Sequence, residues 1–169
     1  MNIGVMSDTH GNRKLMHEAA DRMLSEFKTE LIIHAGDNYS DAEELGMTGL
    51  PVRMVPGLWC DEYHNPRIPK CIVDAADGIT FAVAHTDKDL RLLNGEVAIA
   101  VTGHTHVAEI RLDRKTVYLN PGHLKSNSDR NQTPSFAVIR TTTKDVEIAI
   151  HELRGGVRTS LVFHRTELA

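Results

Sequence analysis

The stretch that decides the fold is Asn2-Ile3-Gly4-Val5-Met6-Ser7-Asp8-Thr9-His10-Gly11-Asn12. It opens on a short apolar run, passes through Asp8 and His10, and leads into residues 13–27. There Met16, Ala19, Ala20, Met23 and Phe27 recur at helical spacing and form one apolar face. A buried strand that delivers polar residues into a turn before an amphipathic helix is the opening unit of a sheet fed by helical crossovers. In such a sheet the loops after the strands gather along one edge, so polar residues from distant parts of the chain can meet there.

Working outward, the same order recurs. Leu31-Ile32-Ile33 runs into Gly36-Asp37-Asn38, Val52–Val55 into Pro56-Gly57, Thr80–Ala84 into His85, and Val97–Val101 into Gly103-His104-Thr105-His106. Ser40 with Glu43 three residues on reads as a capping box, with Gly46 closing that short helix. Asp87 reads as the cap of another helix, ending near Asn94-Gly95. Beyond residue 106 the helical pattern fades. Residues 109–112, 116–119, 136–140, 146–153 and 158–164 read as strands, with turns at Asp113-Arg114-Lys115 and Gly155-Gly156. An α/β first half and a β-rich second half fit two packed sheets with helices outside. The 169 residues carry no internal repeat or linker and are read as a single domain over 1–169.

Composition narrows the functional classes. The net charge is −4 and Lys and Arg are scattered, so the broad cationic face used to hold nucleic acid is missing. Cys60 and Cys71 make neither a CxxC pair nor a disulfide framework. No apolar stretch is long enough to span a bilayer, and the first residues show no basic and apolar leader. The expected setting is therefore cytoplasmic, without a membrane. The apolar run Leu161-Val162-Phe163, in a strand-rich C-terminal region, allows a homodimer.

The ten histidines are the compositional oddity. Asp8 and His10 are two apart, and in an extended segment residues i and i+2 share a face, so a carboxylate and an imidazole could address one cation. His104 and His106 repeat the spacing, and Asp37 adds a hard oxygen. A mixed N and O set without a thiolate repeat suits Mn²⁺, Fe²⁺, Zn²⁺, Ni²⁺ or Co²⁺ better than Ca²⁺. Each residue alone has an ordinary explanation. Asp8 could cap a helix, Asp37 could sit in a turn, His85 could be a satisfied core histidine, and His104 and His106 could be half-buried turn residues. Their joint placement at successive strand ends favours a metal. His34 reads as structural, His17, His151 and His164 as without a role, and His123 as a surface-loop residue in preference to one lining the pocket.

The ordered set Asp8-Thr9-His10-Gly11-Asn12, Gly36-Asp37-Asn38, His85, Gly103-His104-Thr105-His106 and Asn120-Pro121-Gly122 resembles the calcineurin-like metallophosphoesterases, in particular the small bacterial metal-dependent phosphodiesterases. The resemblance implies an α/β fold, a four-layer α/β/β/α sandwich of two mixed sheets flanked by helices. It also implies two divalent metal ions, manganese first, with nickel, cobalt, iron or zinc as alternatives. Asp8, His10 and His106 would hold one metal, Asp37 would bridge, and His85 and His104 would hold the second. Asn12, which alone could be just a helix cap, would lie near the substrate phosphate, and Asn120-Pro121-Gly122 would shape the pocket floor. The implied activity is hydrolysis of a small phosphoester, a diester before a monoester, by a hydroxide generated at the two-metal centre. The alternative is a scaffold or binding protein that keeps the fold with little or no turnover.

One departure stands out. The resembled family supplies an asparagine to the second metal just after the glycine at position 57; this chain has Leu58-Trp59. Leucine cannot ligate and an indole is a donor only. The second site is therefore expected to lack a ligand or to borrow one from Cys60, Asp61 or His64, and to bind more loosely than the first. Trp59 is read as an apolar wall beside the pocket. His104, Asn12, His64 and Arg130 are the catalytic candidates. His64, with Cys60, is the candidate general acid. Arg130, in the polar loop 126–132, is weighed as a phosphate clamp against a solvated charge.

Overall fold

The opening strand β1 (Asn2–Met6) lies between β2 (Leu31–His34), which is parallel to it, and β9 (Ser135–Thr141), which is antiparallel. The structure is a computed structural model describing residues 1–169. β3 (Val52–Met54) extends this first sheet beyond β2, while β10 (Asp145–Glu152) and β11 (Val157–His164) extend it beyond β9, giving the order β11-β10-β9-β1-β2-β3. The second sheet runs β4 (Cys71–Ala76), β5 (Ile79–Ala84), β6 (Ile99–Val101), β8 (Thr116–Asn120), β7 (Glu109–Asp113). Its central β5, β6 and β8 are parallel and its outer pairs antiparallel, so both sheets are mixed.

The period of two explains the layers. Ile3, Val5, Leu31 and Ile33 point into the core between the sheets, whereas Met6 and Ile32 point the other way, onto Leu15, Met16, Ala19, Ala20 and Met23 of helix α1 (Arg13–Ser25). With both faces covered, these strands read as unbroken apolar runs rather than alternating ones. Helix α2 (Tyr39–Glu44) packs near β3 on the same side. The outer layer on the second sheet is thin. The single turn α3 (Asp87–Leu90) covers a small cluster of Ala82, Val97 and Ala100. The four-layer arrangement of two mixed sheets is thus present, with few helices. No helix is long and apolar enough to cross a membrane.

Local expectations needed correction at four helix ends. Ser40 lies inside α2 and caps nothing; the helix starts after Asn38, whose backbone is left-handed, and Gly49 rather than Gly46 ends the helical turn that follows. Thr86, not Asp87, caps α3, its hydroxyl accepting the Asp89 N–H at 3.2 Å, and the helix stops at Leu90. Strand β4 was not anticipated. Its hairpin with β5 turns on Asp77-Gly78, both with positive φ, a two-residue signal present in the sequence.

Candidate metal centre

The parallel strands of both sheets deliver their C-terminal loops to one place. Asp8 and His10 follow β1, Asp37 follows β2, His85 follows β5, and His106 follows β6. Donor atoms of Asp8, His10 and His106 lie within 4.8 Å of one another, as do those of Asp8, Asp37 and His85. His106 Nε2 is 3.2 Å from Asp8 Oδ1 and 3.1 Å from His10 Nε2. Asp37 sits between the two groups, with Oδ2 at 3.6 Å from His10 Nε2 and Oδ1 at 3.4 Å from His85 Nε2.

The hydrogen-bond partners set which atoms face inward. His85 Nδ1 donates to the Ala35 carbonyl at 2.8 Å, leaving Nε2 as a bare acceptor aimed at Asp37 Oδ1. Both atoms are buried and neither makes a hydrogen bond. His106 Nδ1 likewise donates to Asp129, which leaves its Nε2 facing Asp8 and His10. A carboxylate or carbonyl behind an imidazole, with the other nitrogen free, is the usual support of a metal-ligating histidine. Lone pairs converging in a buried space repel unless a proton or a cation lies between them, so the residues present fit a divalent cation.

Asp8 is fully buried and firmly held. Its carboxylate accepts from Ser7 Oγ at 2.6 Å and from the His104 N–H at 3.0 and 3.2 Å. Glycine is required where backbone and ligands touch. A Cβ on Gly57 would fall 1.6 Å from Asp37 Oδ1, and one on Gly36, whose φ is +80°, would fall 2.6 Å from His85 Nδ1. The pairing of Asp8 with His10 does not arise from an extended segment. Asp8, His10, His104 and His106 all have positive φ, so tight left-handed turns aim these side chains.

The charges follow from this packing. Burial alone would push His85 down, but Asp37 and Asp8 beside it hold it above its usual value. Asp8, and then Asp129, hold His106 high against burial. Burial works against the Asp37 carboxylate, yet His85, His10 and His104 together keep its pKa below the ordinary range. Burial lowers His10 despite its two carboxylate neighbours.

Other candidates are placed differently. The ring nitrogens of His104 lie outside both donor groups; the ring sits 5.3 Å from that of His85 and lines an adjoining cavity. Asn12 is the N-cap of α1, accepting the Leu15 N–H at 3.2 Å while its amide donates to the Lys125 carbonyl at 2.9 Å. His64 is exposed, lies edge-on to Tyr63, and is not among the converging donors. Arg130 is exposed and donates to the Thr105 carbonyl at 2.9 Å. Cys60 Sγ accepts the Asn38 N–H at 3.1 Å, and neither it nor Asp61 joins the donors. Trp59 is 83% exposed, so the apolar wall expected of it is supplied by Leu58 instead. His123 is fully buried, not a surface-loop residue, with its ring 5.6 Å from that of His106. Asn120 braces the 103–105 turn, its amide donating to Gly103 O and Thr105 Oγ1.

Two carboxylates went unread in the sequence. Asp41, fully buried on α2, accepts from Thr9 Oγ1 at 2.7 Å and from the Gly11 N–H at 2.9 Å, fixing the turn that carries Asp8 and His10. Asp129 holds His106 and is itself 3.5 Å from Lys125. Neither carried a signal in the sequence: Asp41 shares its short helix with Glu43 and Glu44, and Asp129 lies in a polar loop.

Fold and site together define a two-sheet sandwich with carboxylates and imidazoles gathered at its strand ends. The chain belongs to the calcineurin-like phosphoesterase superfamily, whose domain profile matches residues 1–144. It is 30% identical over 176 residues to a probable metallophosphoesterase of Methanothermobacter thermautotrophicus, covering 98% of this chain and 100% of that one. Among solved structures, a predicted phosphoesterase of Streptococcus pneumoniae superposes with a TM-score of 0.72 at 22% identity, covering 97% of both chains. A Vps29 variant of Entamoeba histolytica superposes with a TM-score of 0.70 at 18% identity, covering 97% of this chain and 99% of that one. At such identities the two structures speak for the fold alone.

Proposed function

We propose that this protein hydrolyses a small phosphoester, a phosphodiester in preference to a monoester, using two divalent cations, with manganese ahead of nickel, cobalt, iron or zinc. The observation that carries this reading is the confrontation of Asp37 Oδ1 with His85 Nε2, two buried acceptors 3.4 Å apart with no hydrogen bond. An unsatisfied buried polar group costs about 1–3 kcal/mol, and either a proton on His85 Nε2 or a cation between the two removes that cost; the neighbouring Asp8, His10 and His106 donors favour the cation.

In this reading Asp8, His10 and His106 hold one cation, and Asp37 and His85 the other, with Asp37 offering an oxygen to each side. When bound, such cations acidify a water and neutralise charge on the phosphoryl oxygens of an in-line displacement. The chain's own residues supply the positioning. Ser7 and the His104 N–H orient Asp8, Ala35 orients His85, and Asp129 orients His106. The His104 imidazole, on the cavity side of the centre, is assigned to contact with the phosphate. Because Leu58 offers no ligand, the second cation has fewer protein donors and binds more weakly than the first.

A second reading, a scaffold with little turnover, is favoured by Leu58 and by the His104 ring lying outside both donor groups. The fold is shared with a Vps29 protein as well as with phosphoesterases, so fold alone does not choose. The deciding assay uses metal-stripped protein with bis-p-nitrophenyl phosphate and p-nitrophenyl phosphate, adding Mn²⁺, Ni²⁺, Co²⁺, Zn²⁺ or Mg²⁺ singly. Metal-dependent turnover, faster on the diester and lost in Asp37→Ala and His104→Ala, is the expected result. Bound metal without turnover would move the conclusion to the scaffold.

A further inference from the structure

We infer that the cavity beside His104 is a subsite for a planar, ring-bearing ester group of the substrate; the inference rests on the phosphoesterase reading above. The cavity measures about 440 Å³ and is lined by Leu58, Tyr63, Thr86, Lys88, His104 and Thr105 among others. That volume falls within the range of about 300–1,000 Å³ in which proteins hold small molecules. It adjoins the metal centre: His104 borders it, the same residue's N–H holds Asp8, and Leu58 on its wall follows the Gly57 that presses on Asp37. An ester whose phosphate lies at the cations therefore has this space next to it.

The chemistry of the walls selects the occupant. Leu58 stands directly after Gly57, the residue pressed against Asp37, and adds an aliphatic side chain to the cavity wall. Tyr63 offers its ring and not its hydroxyl, because the hydroxyl already donates to the Asp89 carboxylate at 3.1 and 3.2 Å. Asp89 is buried and is held in turn by Thr86 Oγ1 at 2.7 Å. On Tyr63 itself, the Lys70 ammonium lies 3.9 Å from the ring centroid. The ring is thus fixed before any ligand arrives, and little ordering cost remains to be met on binding. An aliphatic wall and a locked aromatic wall favour a flat apolar group over a small alkyl group or a second anion. Asp87 and Lys88, both exposed at the rim, place one charge of each sign near the outer edge of such a group.

The test uses binding, so that it does not depend on turnover. Mn²⁺-loaded protein is titrated calorimetrically with phenylphosphonate and with methylphosphonate, which share the metal-seeking group and differ in the ring. Phenylphosphonate is expected to bind about tenfold tighter. Tyr63→Ala, which removes one wall, and Leu58→Trp, which fills the space, are each expected to bring the ratio close to one. Mn²⁺ affinity measured on the same samples, expected to stay within about twofold of wild type, reports that the centre is intact. Equal affinities in the wild type, or a phenyl preference that survives in both variants, would overturn the subsite. A Tyr63-dependent phenyl preference without hydrolysis of bis-p-nitrophenyl phosphate would keep the subsite and remove the hydrolase reading. Hydrolysis without any phenyl preference would do the reverse.

Discussion

Replacing His34 with asparagine should remove about 2 kcal/mol of acid sensitivity between pH 7.5 and pH 5. His34 ends β2 with its ring fully buried. Its Nδ1 accepts the Gly36 N–H at 3.3 Å, and its Nε2 lies 3.4 Å from Thr9 Oγ1. A neutral ring with its proton on Nε2 satisfies both contacts; a second proton, on Nδ1, would face the Gly36 N–H. Burial pushes the pKa down to about 4 from 6.5, and the pull of Asp8 and Asp41 in the other direction does not offset it. Between pH 4 and 6.5 the unfolded chain therefore binds a proton that the folded chain refuses. Stability is complete above pH 6.5 and falls as the pH drops, by about 1.4 kcal/mol per unit. From pH 6.5 to pH 5 that is about 2 kcal/mol, reaching about 3 kcal/mol at pH 4. Asparagine carries no such proton but can still offer an oxygen to the Gly36 N–H, and its loss of ring packing does not depend on pH. Urea denaturation of both proteins across this range, with chelator present to keep metal release out of the slope, gives the difference directly. The wild-type advantage should shrink by about 2 kcal/mol on going to pH 5. Parallel stability curves would refute the reasoning, because His34 would then accept its proton in the folded state and could not be a fixed neutral strut between the loops bearing Asp8 and Asp37.

Two further outcomes follow from the same geometry. Gly57→Ala puts a methyl group on Asp37 Oδ1 and should cost about 1–3 kcal/mol of stability while lowering the number of cations bound, read by denaturation and elemental analysis; unchanged stoichiometry would show that Asp37 is not a ligand. Asp129→Asn should weaken binding of the tighter cation by about 10–100-fold in calorimetry with little change in melting temperature of the metal-free protein, and an unaltered affinity would reduce Asp129 to a surface contact.

The parallel strands and the candidate donors at their ends were legible because both obey strong local rules. Buried strands such as Ile3–Met6 and Leu31–Ile33 must be apolar on both faces, and the residues that interrupt them stand out. Asp41 and Asp129 obey no such rule. One sits on a short helix and the other in a polar loop, so each looks like an ordinary surface acid until the turn it supports is in place. Leu58 and Trp59 are similar. Set against the resembled family, they stand where an asparagine is expected, but only the packed chain decides that leucine lines the cavity and tryptophan faces water.

The convergence of the donors is the part that local reasoning reached by the wrong route. Five of the ten non-glycine residues with positive φ are Asp8, His10, Asn38, His104 and His106. Residues held in sparsely populated backbone regions cost about 1–3 kcal/mol each and persist only where the surroundings over-determine them. Here the surroundings are identifiable. The His104 N–H closes on Asp8, and Asp41 holds Thr9 and Gly11. The Leu124 N–H reaches the Asp8 carbonyl, and Cys60 receives the Asn38 N–H. Each of these bonds joins segments more than twenty residues apart, and those from His104 and Leu124 also tie the second sheet to the first, so none can form before the strands that carry it are in place. A preference for extended backbone at Asp8-Thr9-His10 is reasonable for an isolated peptide, and tertiary bonds override it in the folded chain. The strained turns are therefore a consequence of assembling the site, which is why the sequence discloses the donors but not their directions.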